Sequence, residues 1–146
     1  MRLSRHTDYA LRVLIHLAAR HGRLSSIAEI ARAYAISENH LMKVVHMLGR
    51  AGFIRTVRGR GGGIELARAP EDIAIGDVVR HGEPDRKLAD CDACLIAPAC
   101  GLTTIFGEAM GAFLAVLDRY SLADITRQRG DLARLLGLDA AEPQPI

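Results

Sequence analysis

Cysteine is scarce in this chain of 146 residues: there are three in all, and they fall together in Cys91-Asp-Ala-Cys94-Leu-Ile-Ala-Pro-Ala-Cys100. An odd number of thiols cannot close into pairs, and His6 and Asp8 interrupt any apolar stretch that could serve as an export signal. A secreted disulfide framework is therefore excluded. No apolar run reaches the roughly 18 residues that span a membrane, so the expected location is the cytoplasm, where thiols stay reduced. The glycines of the chain make neither common nucleotide-binding motif. Ile64 stands where the last glycine of a dinucleotide fingerprint would be, and no Gly-Lys-Ser/Thr follows to make a phosphate loop. No hydrolytic triad or paired-carboxylate site suggests itself, and these absences together point away from an enzyme.

What is present around the cysteines is loop sequence. Gly82 and Pro84 precede them, Pro98 interrupts them and Gly101 follows, so the thiols sit on backbone able to wrap around a ligand. Three clustered thiolates suit a metal or an iron-sulfur cluster whose fourth ligand lies elsewhere. Spacing does not separate these: His81 could complete a Cys3His zinc site as well as a carboxylate could complete an iron site. Ordinary free cysteines are the plain competing interpretation. A thiol-disulfide oxidoreductase using Cys91 and Cys94 is a further rival from another class. Asp90 and Asp92 flank Cys91 with negative charge, however, where such enzymes place a helix N-terminus or a cation.

Charge divides the chain. Residues 1–68 carry 12 Lys and Arg against 4 Asp and Glu, whereas residues 69–146 carry 7 against 13. A basic front half is expected where one end of a protein faces a polyanion such as DNA.

The front half also has a helical grammar. Apolar residues Ala10, Leu11, Leu14, Ile15, Leu17 and Ala18 follow helical spacing, with Thr7 or Asp8 placed to cap the start. Ser26-Ile-Ala-Glu29 is a capping box that opens a second helix reaching about Tyr34. A turn at Ala35-Ile36 and an N-cap at Ser37 begin a third helix, predicted to run to Gly49. Two short helices joined by a tight turn make a helix-turn-helix. Its turn position often holds glycine; Ala35 there costs about 1 kcal/mol if the backbone is left-handed. Projecting the third helix puts Leu41, Val44, Val45 and Leu48 inward and Asn39, Lys43, His46 and Arg50 outward. An amide and cations on that face suit a major groove, although the same set also describes a plain solvent face. Phe53–Val57 and Ile64–Leu66 read as strands around Arg58-Gly-Arg60-Gly-Gly-Gly63. That hairpin tip is a wing, and Arg58 and Arg60 on it suit a narrow, electronegative minor groove.

Pro70 marks a boundary, and a short helix over residues 76–81 leads into the cysteine loop. The pattern from Leu102 to Tyr120 is the longest helical one. Leu102, Phe106, Ala109, Phe113, Val116 and Tyr120 recur at steps of four and three, the seam of a coiled coil. The expectation is a dimerisation helix, with an intramolecular helix pair as the competing arrangement. Ser121 is placed to cap one more short helix, and Pro143 and Pro145 mark a tail expected to be disordered. The fold class so predicted is mainly α with a small β-hairpin wing, a winged helix-turn-helix domain plus a long dimerisation helix. Its divisions fall at residues 1–68, 69–101 and 102–146.

Thr7-Asp-Tyr-Ala10, Val57-Arg-Gly-Arg-Gly-Gly-Gly63, Ile75-Gly-Asp-Val-Val79, the cysteine loop and Leu117-Asp-Arg-Tyr-Ser-Leu-Ala-Asp124 together resemble the Rrf2 family of bacterial winged-helix regulators. Asp8, Glu83-Pro84 and Ile96-Ala-Pro-Ala-Cys100 look most like its nitric-oxide-sensing repressor branch. The resemblance implies a homodimeric repressor on palindromic operator DNA, with one iron-sulfur cluster per subunit and nitric oxide as the signal. It implies Cys91, Cys94 and Cys100 as cluster ligands and Asp8, donated by the other subunit, as the non-cysteine ligand. The iron-sulfur-assembly branch places a His three residues after its last Cys; Thr103 stands there in this chain. One departure concerns spacing, since this branch usually separates its first two cysteines by four or five residues and here only two intervene. A [4Fe-4S] cluster is the expectation, ahead of [2Fe-2S] or a metal other than iron.

Overall fold

A computed structural model describes residues 1–20 and 22–138. The order is α1 (Arg5–Ala19), α2 (Ile27–Tyr34), α3 (Glu38–Arg50), β1 (Ile54–Val57), β2 (Gly63–Leu66), a 3-10 turn at Pro70–Asp72, α4 (Ile75–Gly82), α5 (Leu102–Asp118), α6 (Leu122–Ile125) and α7 (Arg129–Leu135). The tail carrying Pro143 and Pro145 lies outside the described residues.

Helix α1 starts earlier than its capping signals suggest. Ser4, extended at φ −61° and ψ 155°, is the N-cap, and its hydroxyl accepts the Thr7 N–H at 3.2 Å. Thr7 is thereby drawn inside the helix and is fully buried. Its hydroxyl has an acceptor elsewhere in the fold, Glu83, which is why it does not serve as the cap. Asp8 falls in the first turn, where a negative charge complements the helix dipole.

The capping box of α2 forms on both sides, with Glu29 N–H donating to the Ser26 hydroxyl and Ser26 N–H to the Glu29 carboxylate. Ala35 is left-handed at φ 52° and ψ 46°, the conformation the helix-turn-helix requires there. Ser37 is the N-cap of α3 by position, but its side chain makes no capping bond. Leu41, Val44, Val45 and Leu48 of α3 are buried, with Ala10, Val13, Leu14 and Leu17 of α1, Ile30 and Phe53 in the same core. Burying each Leu or Phe contributes about 1.5–3 kcal/mol.

The hairpin pairs antiparallel from Ile54↔Leu66 to Val57↔Gly63. Gly59 and Gly61 at its tip have φ of 98° and 74°, backbone that side chains rarely adopt. The core continues past the hairpin through Ile73, Val78 and Leu122, so α1 packs on α3 and also on α4, α6 and α7.

Helix α5 ends at Asp118, short of the Tyr120 that the seam predicts. The Tyr120 carbonyl accepts the Ile75 N–H at 2.9 Å, and Leu122 N–H donates to Ile73 at 2.8 Å. These bonds lock the chain after α5 beside the start of α4, where an extended backbone is needed. Ser121 then caps α6 with a second capping box, closed by Asp124.

Candidate nucleic-acid interface and cysteine loop

The outward face of α3 is what its periodicity implies: Asn39, Lys43, His46 and Arg50 are all exposed while the opposite face is sealed in the core. Arg58 and Arg60 are exposed at the wing tip, raised on strands that an Arg55–Glu65 ion pair at 2.7 Å crosses. The wing is fastened to the helical body by a third extended segment. Ser25 N–H donates to Ile64 at 3.0 Å, and Ile64 N–H donates back at 2.8 Å. Arg68 braces the other end, donating to the carbonyls of Ala51 and Gly52 with its guanidinium over the Phe53 ring. A helix face and a rigid, arginine-tipped hairpin are thus presented by one module, the geometry of a reading head for duplex DNA.

At the base of that head, Asp8 pairs with Arg12 at 3.1 Å. Both line a cavity of about 590 Å³ with Arg2, Arg5, Tyr9 and the Ala35 turn. No cysteine of the same chain lines it.

The cysteine loop has an internal order that its composition conceals. Cys94 N–H donates to the Cys91 carbonyl at 3.2 Å, Ala97 N–H to Cys94 at 3.1 Å and Cys100 N–H to Ala97 at 3.4 Å. These are successive i to i+3 turns, each beginning where the last one ends. The separations of three and six residues between the cysteines follow that period, with Ala97 in the intervening place. This period was available in the sequence and was missed there. All three thiols are free; Cys94 is exposed and Cys91 and Cys100 are half-buried. Beside Cys91, a cavity of about 270 Å³ opens between the loop and Thr103, Phe106 and Met110 of α5.

This donor set fits an iron-sulfur cluster in kind, three unpaired thiols on one short, turn-ordered loop. Among the described residues, no three His, Cys, Asp or Glu side chains converge into a metal-binding group. His81, weighed above as a zinc ligand, has other partners. Its Nδ1–H donates to the Asp77 carbonyl at 2.8 Å and its ring meets the Phe53 edge at 5.3 Å.

The root of the loop is tied to the head. Glu83, where α4 ends, accepts the Ser4 N–H at 2.6 Å and the Thr7 hydroxyl at 2.7 Å on one oxygen. Burial pushes its carboxyl up, but the hydrogen bonds from Thr7 and Ser4 outweigh this and hold it below its ordinary range. On the far side of α4, Arg80 grips Asp118 of α5 through both guanidinium nitrogens at 2.6 and 2.7 Å.

The predicted seam on α5 is divided. Phe106 and Phe113 are half-buried, and Phe113 lines a groove with Leu11, Ile75 and Val79 of its own chain. Leu102 (45% exposed), Val116 (45%) and Ala109 face outward together with Ile105 (59%), which the seam did not include. Tyr120 is exposed beyond the helix end.

A helix-turn-helix with a basic outer face, followed by a two-stranded wing, defines a winged-helix transcriptional regulator. The chain belongs to the Rrf2 family, described as iron-dependent transcriptional regulators, whose model matches residues 3–128. It is 51% identical over 142 residues to the HTH-type transcriptional regulator NsrR of Bacillus subtilis, covering 93% of this chain and 97% of that protein. The NsrR of Geobacillus kaustophilus is 46% identical over 142 residues, with 93% and 97% covered. Among solved structures, it is similar to CymR, the global cysteine regulator of B. subtilis, with a TM-score of 0.69 and 29% identity over 88% of this chain and 98% of that one. It also resembles IscR of T. potens, with a TM-score of 0.73 and 26% identity over 97% and 93%. These relatives are regulators of transcription, and the chain is a DNA-binding regulator rather than an enzyme. No helix among the described residues is long and apolar enough to cross a membrane.

Proposed function

We propose that the protein is a homodimeric repressor that binds palindromic operator DNA and releases it when nitric oxide reaches an iron-sulfur cluster on the cysteine loop. The observation that carries this reading is the loop itself: three free thiols at a three-residue period, in a chain whose other half is a DNA-reading head. The likeness to NsrR proteins supports it, and the resemblance to the nitric-oxide-sensing branch supplies the signal.

Asn39, Lys43, His46 and Arg50 face the major groove in this reading, and Arg58 and Arg60 enter the minor groove. Cys91, Cys94 and Cys100 hold the cluster, with Asp8 from the other subunit as fourth ligand and [4Fe-4S] favoured over [2Fe-2S]. Such a cluster supplies an iron whose oxygen ligand is exchangeable, because hard oxygen holds sulfide-rich iron less firmly than thiolate does. Asp8 stands on the first turn of α1, and α1 packs on α3. Whatever Asp8 holds is therefore felt at the base of the reading helix, and its release shifts the balance between two states. The exposed stripe of α5 forms the dimer contact, dividing the chain functionally at residues 1–68, 69–101 and 102–146.

The test is a nitric oxide titration of anaerobically purified protein, following visible absorbance and operator retention together. Wild type is expected to lose both at once. Asp8→Ala is expected to keep its cluster on three thiolates yet bind operator weakly, and Cys100→Ala to lose the cluster. Matching spectra and matching release in wild type and Asp8→Ala would leave Asp8 as a first-turn charge and move the fourth ligand to His6 or His81. The short gap between Cys91 and Cys94 favours one second reading, a regulator of the same fold that senses redox through its thiols or holds zinc. A colourless preparation containing zinc would establish it.

A further inference from the structure

In the proposed sensor, Asp8 connects the loop to the head across the dimer. The structure contains a second connection within one chain. Glu83 Oε1 receives two donors from the start of α1, the Ser4 backbone N–H at 2.6 Å and the Thr7 hydroxyl at 2.7 Å. Ser4 is the N-cap of α1 and Thr7 is fully buried one residue before Asp8. The approach is close: a Cβ at Gly82 would sit 2.3 Å from Thr7 Oγ1, so only glycine allows α4 to seat against this turn. Glu83 is also where the loop begins. Its own carbonyl accepts from Arg86 at 2.9 Å, which bonds the Arg80 carbonyl at 3.1 Å as well, folding the first residues of the loop back onto the end of α4.

We propose that Glu83 is a positioning residue that couples the cysteine loop to the reading head within a single chain, by gripping Ser4 and Thr7 at the first turn of α1. A displacement of the loop's root moves Glu83, and the two hydrogen bonds carry that movement to the N-cap of α1. Because α1 packs on α3, the angle of the reading helix follows. Asp8 rides on the same turn, so the clamp also sets where that carboxylate is presented. This inference deepens the sensor reading and rests on it for its biological meaning.

The test uses the full chain and two readouts. In the first, cysteines are left free or capped with iodoacetamide, and amide exchange is followed over residues 5–9. Capping is expected to speed exchange there about tenfold in wild type, within the range of ordinary site-to-site coupling. Glu83→Ala and Thr7→Val should already exchange fast and show no further response, while Glu83→Gln, which keeps an acceptor in place, should recover part of it. In the second, operator affinity is compared before and after nitric oxide, and Glu83→Ala should compress that ratio about tenfold with its visible spectrum unchanged. Equal responses to capping in wild type and Glu83→Ala, or lower thermal stability with an intact affinity ratio, would reduce Glu83 to a purely structural contact and overturn the proposal. If wild type ignores nitric oxide while the capping response still depends on Glu83, the sensor reading fails and the clamp stands.

Discussion

His16 gives the fold a stability that depends on pH. Its ring lies on the inner face of α1, 1% exposed, with no hydrogen-bond partner for either nitrogen among the described residues. Burial, then the nearby Arg20 cation, push its pKa down from 6.5 to about 4, against the opposing pull of Glu29. Arg20 and Glu29 are paired at 2.9 Å, so each partly cancels the other at the imidazole. The folded state therefore holds a neutral ring, whereas the unfolded chain takes up a proton as pH falls through 6.5. His16 contributes stability that is fully present above that value and is lost as the solution approaches pH 4. With about 1.36 kcal/mol for each pH unit of separation, the full loss is about 3 kcal/mol, of which about 2 kcal/mol is reached by about pH 5. Urea denaturation of wild type and His16→Leu at about pH 7.5 and about pH 5 isolates this, because every other titrating group is common to both proteins. Wild type is expected to lose about 2 kcal/mol more than the variant across that interval. Parallel losses would refute the reasoning and show the imidazole to be hydrated or protonated in the native state.

Ile105→Glu, on the exposed stripe of α5, should give a folded monomer in sedimentation. Phe113→Glu, which points a charge at Leu11 and Ile75, should also destabilise the subunit by about 2 kcal/mol or more; a stable dimer of Ile105→Glu would displace the interface. Arg60→Ala should weaken operator binding and reduce its salt slope by about one, and loss of a base contact at Asn39 should cost about 1–3 kcal/mol and relax sequence preference. Unchanged binding by Arg60→Ala at all salt concentrations would remove the wing from the interface. Ala35→Gly should raise stability by about 1 kcal/mol in thermal unfolding, since Ala35 is exposed and left-handed and only backbone strain is relieved.

Much of the head was legible from residue order. The alternation of α3 into a buried Leu41, Val44, Val45, Leu48 face and an exposed Asn39, Lys43, His46, Arg50 face follows from helical period alone. The capping box at Ser26 and the cap at Ser121 are likewise local, because a hydroxyl beside a helix start satisfies the backbone three residues on without outside help. The period-three order of the cysteine loop was equally local and went unread. Proline and glycine mark a loop without revealing that its turns are consecutive.

Other features required the tertiary structure, wherever two local solutions were close in energy and a distant group chose between them. Thr7 and Ser4 could each cap α1; Glu83, 76 residues from Thr7, engaged the Thr7 hydroxyl and left the cap to Ser4. Tyr120 continues the heptad pattern of α5, yet its carbonyl is claimed by Ile75 and the helix stops at Asp118. The apolar stripe of α5 is continuous in sequence, and only the seating of α4 against it decides that Phe113 turns inward while Ile105 is left exposed. Residue order by itself determined the helices and hairpin of the reading head, because helical period and caps act over a few residues. The connection of loop to head was decided by the tertiary structure, because a carboxylate finds its donors only when the chain between them has folded.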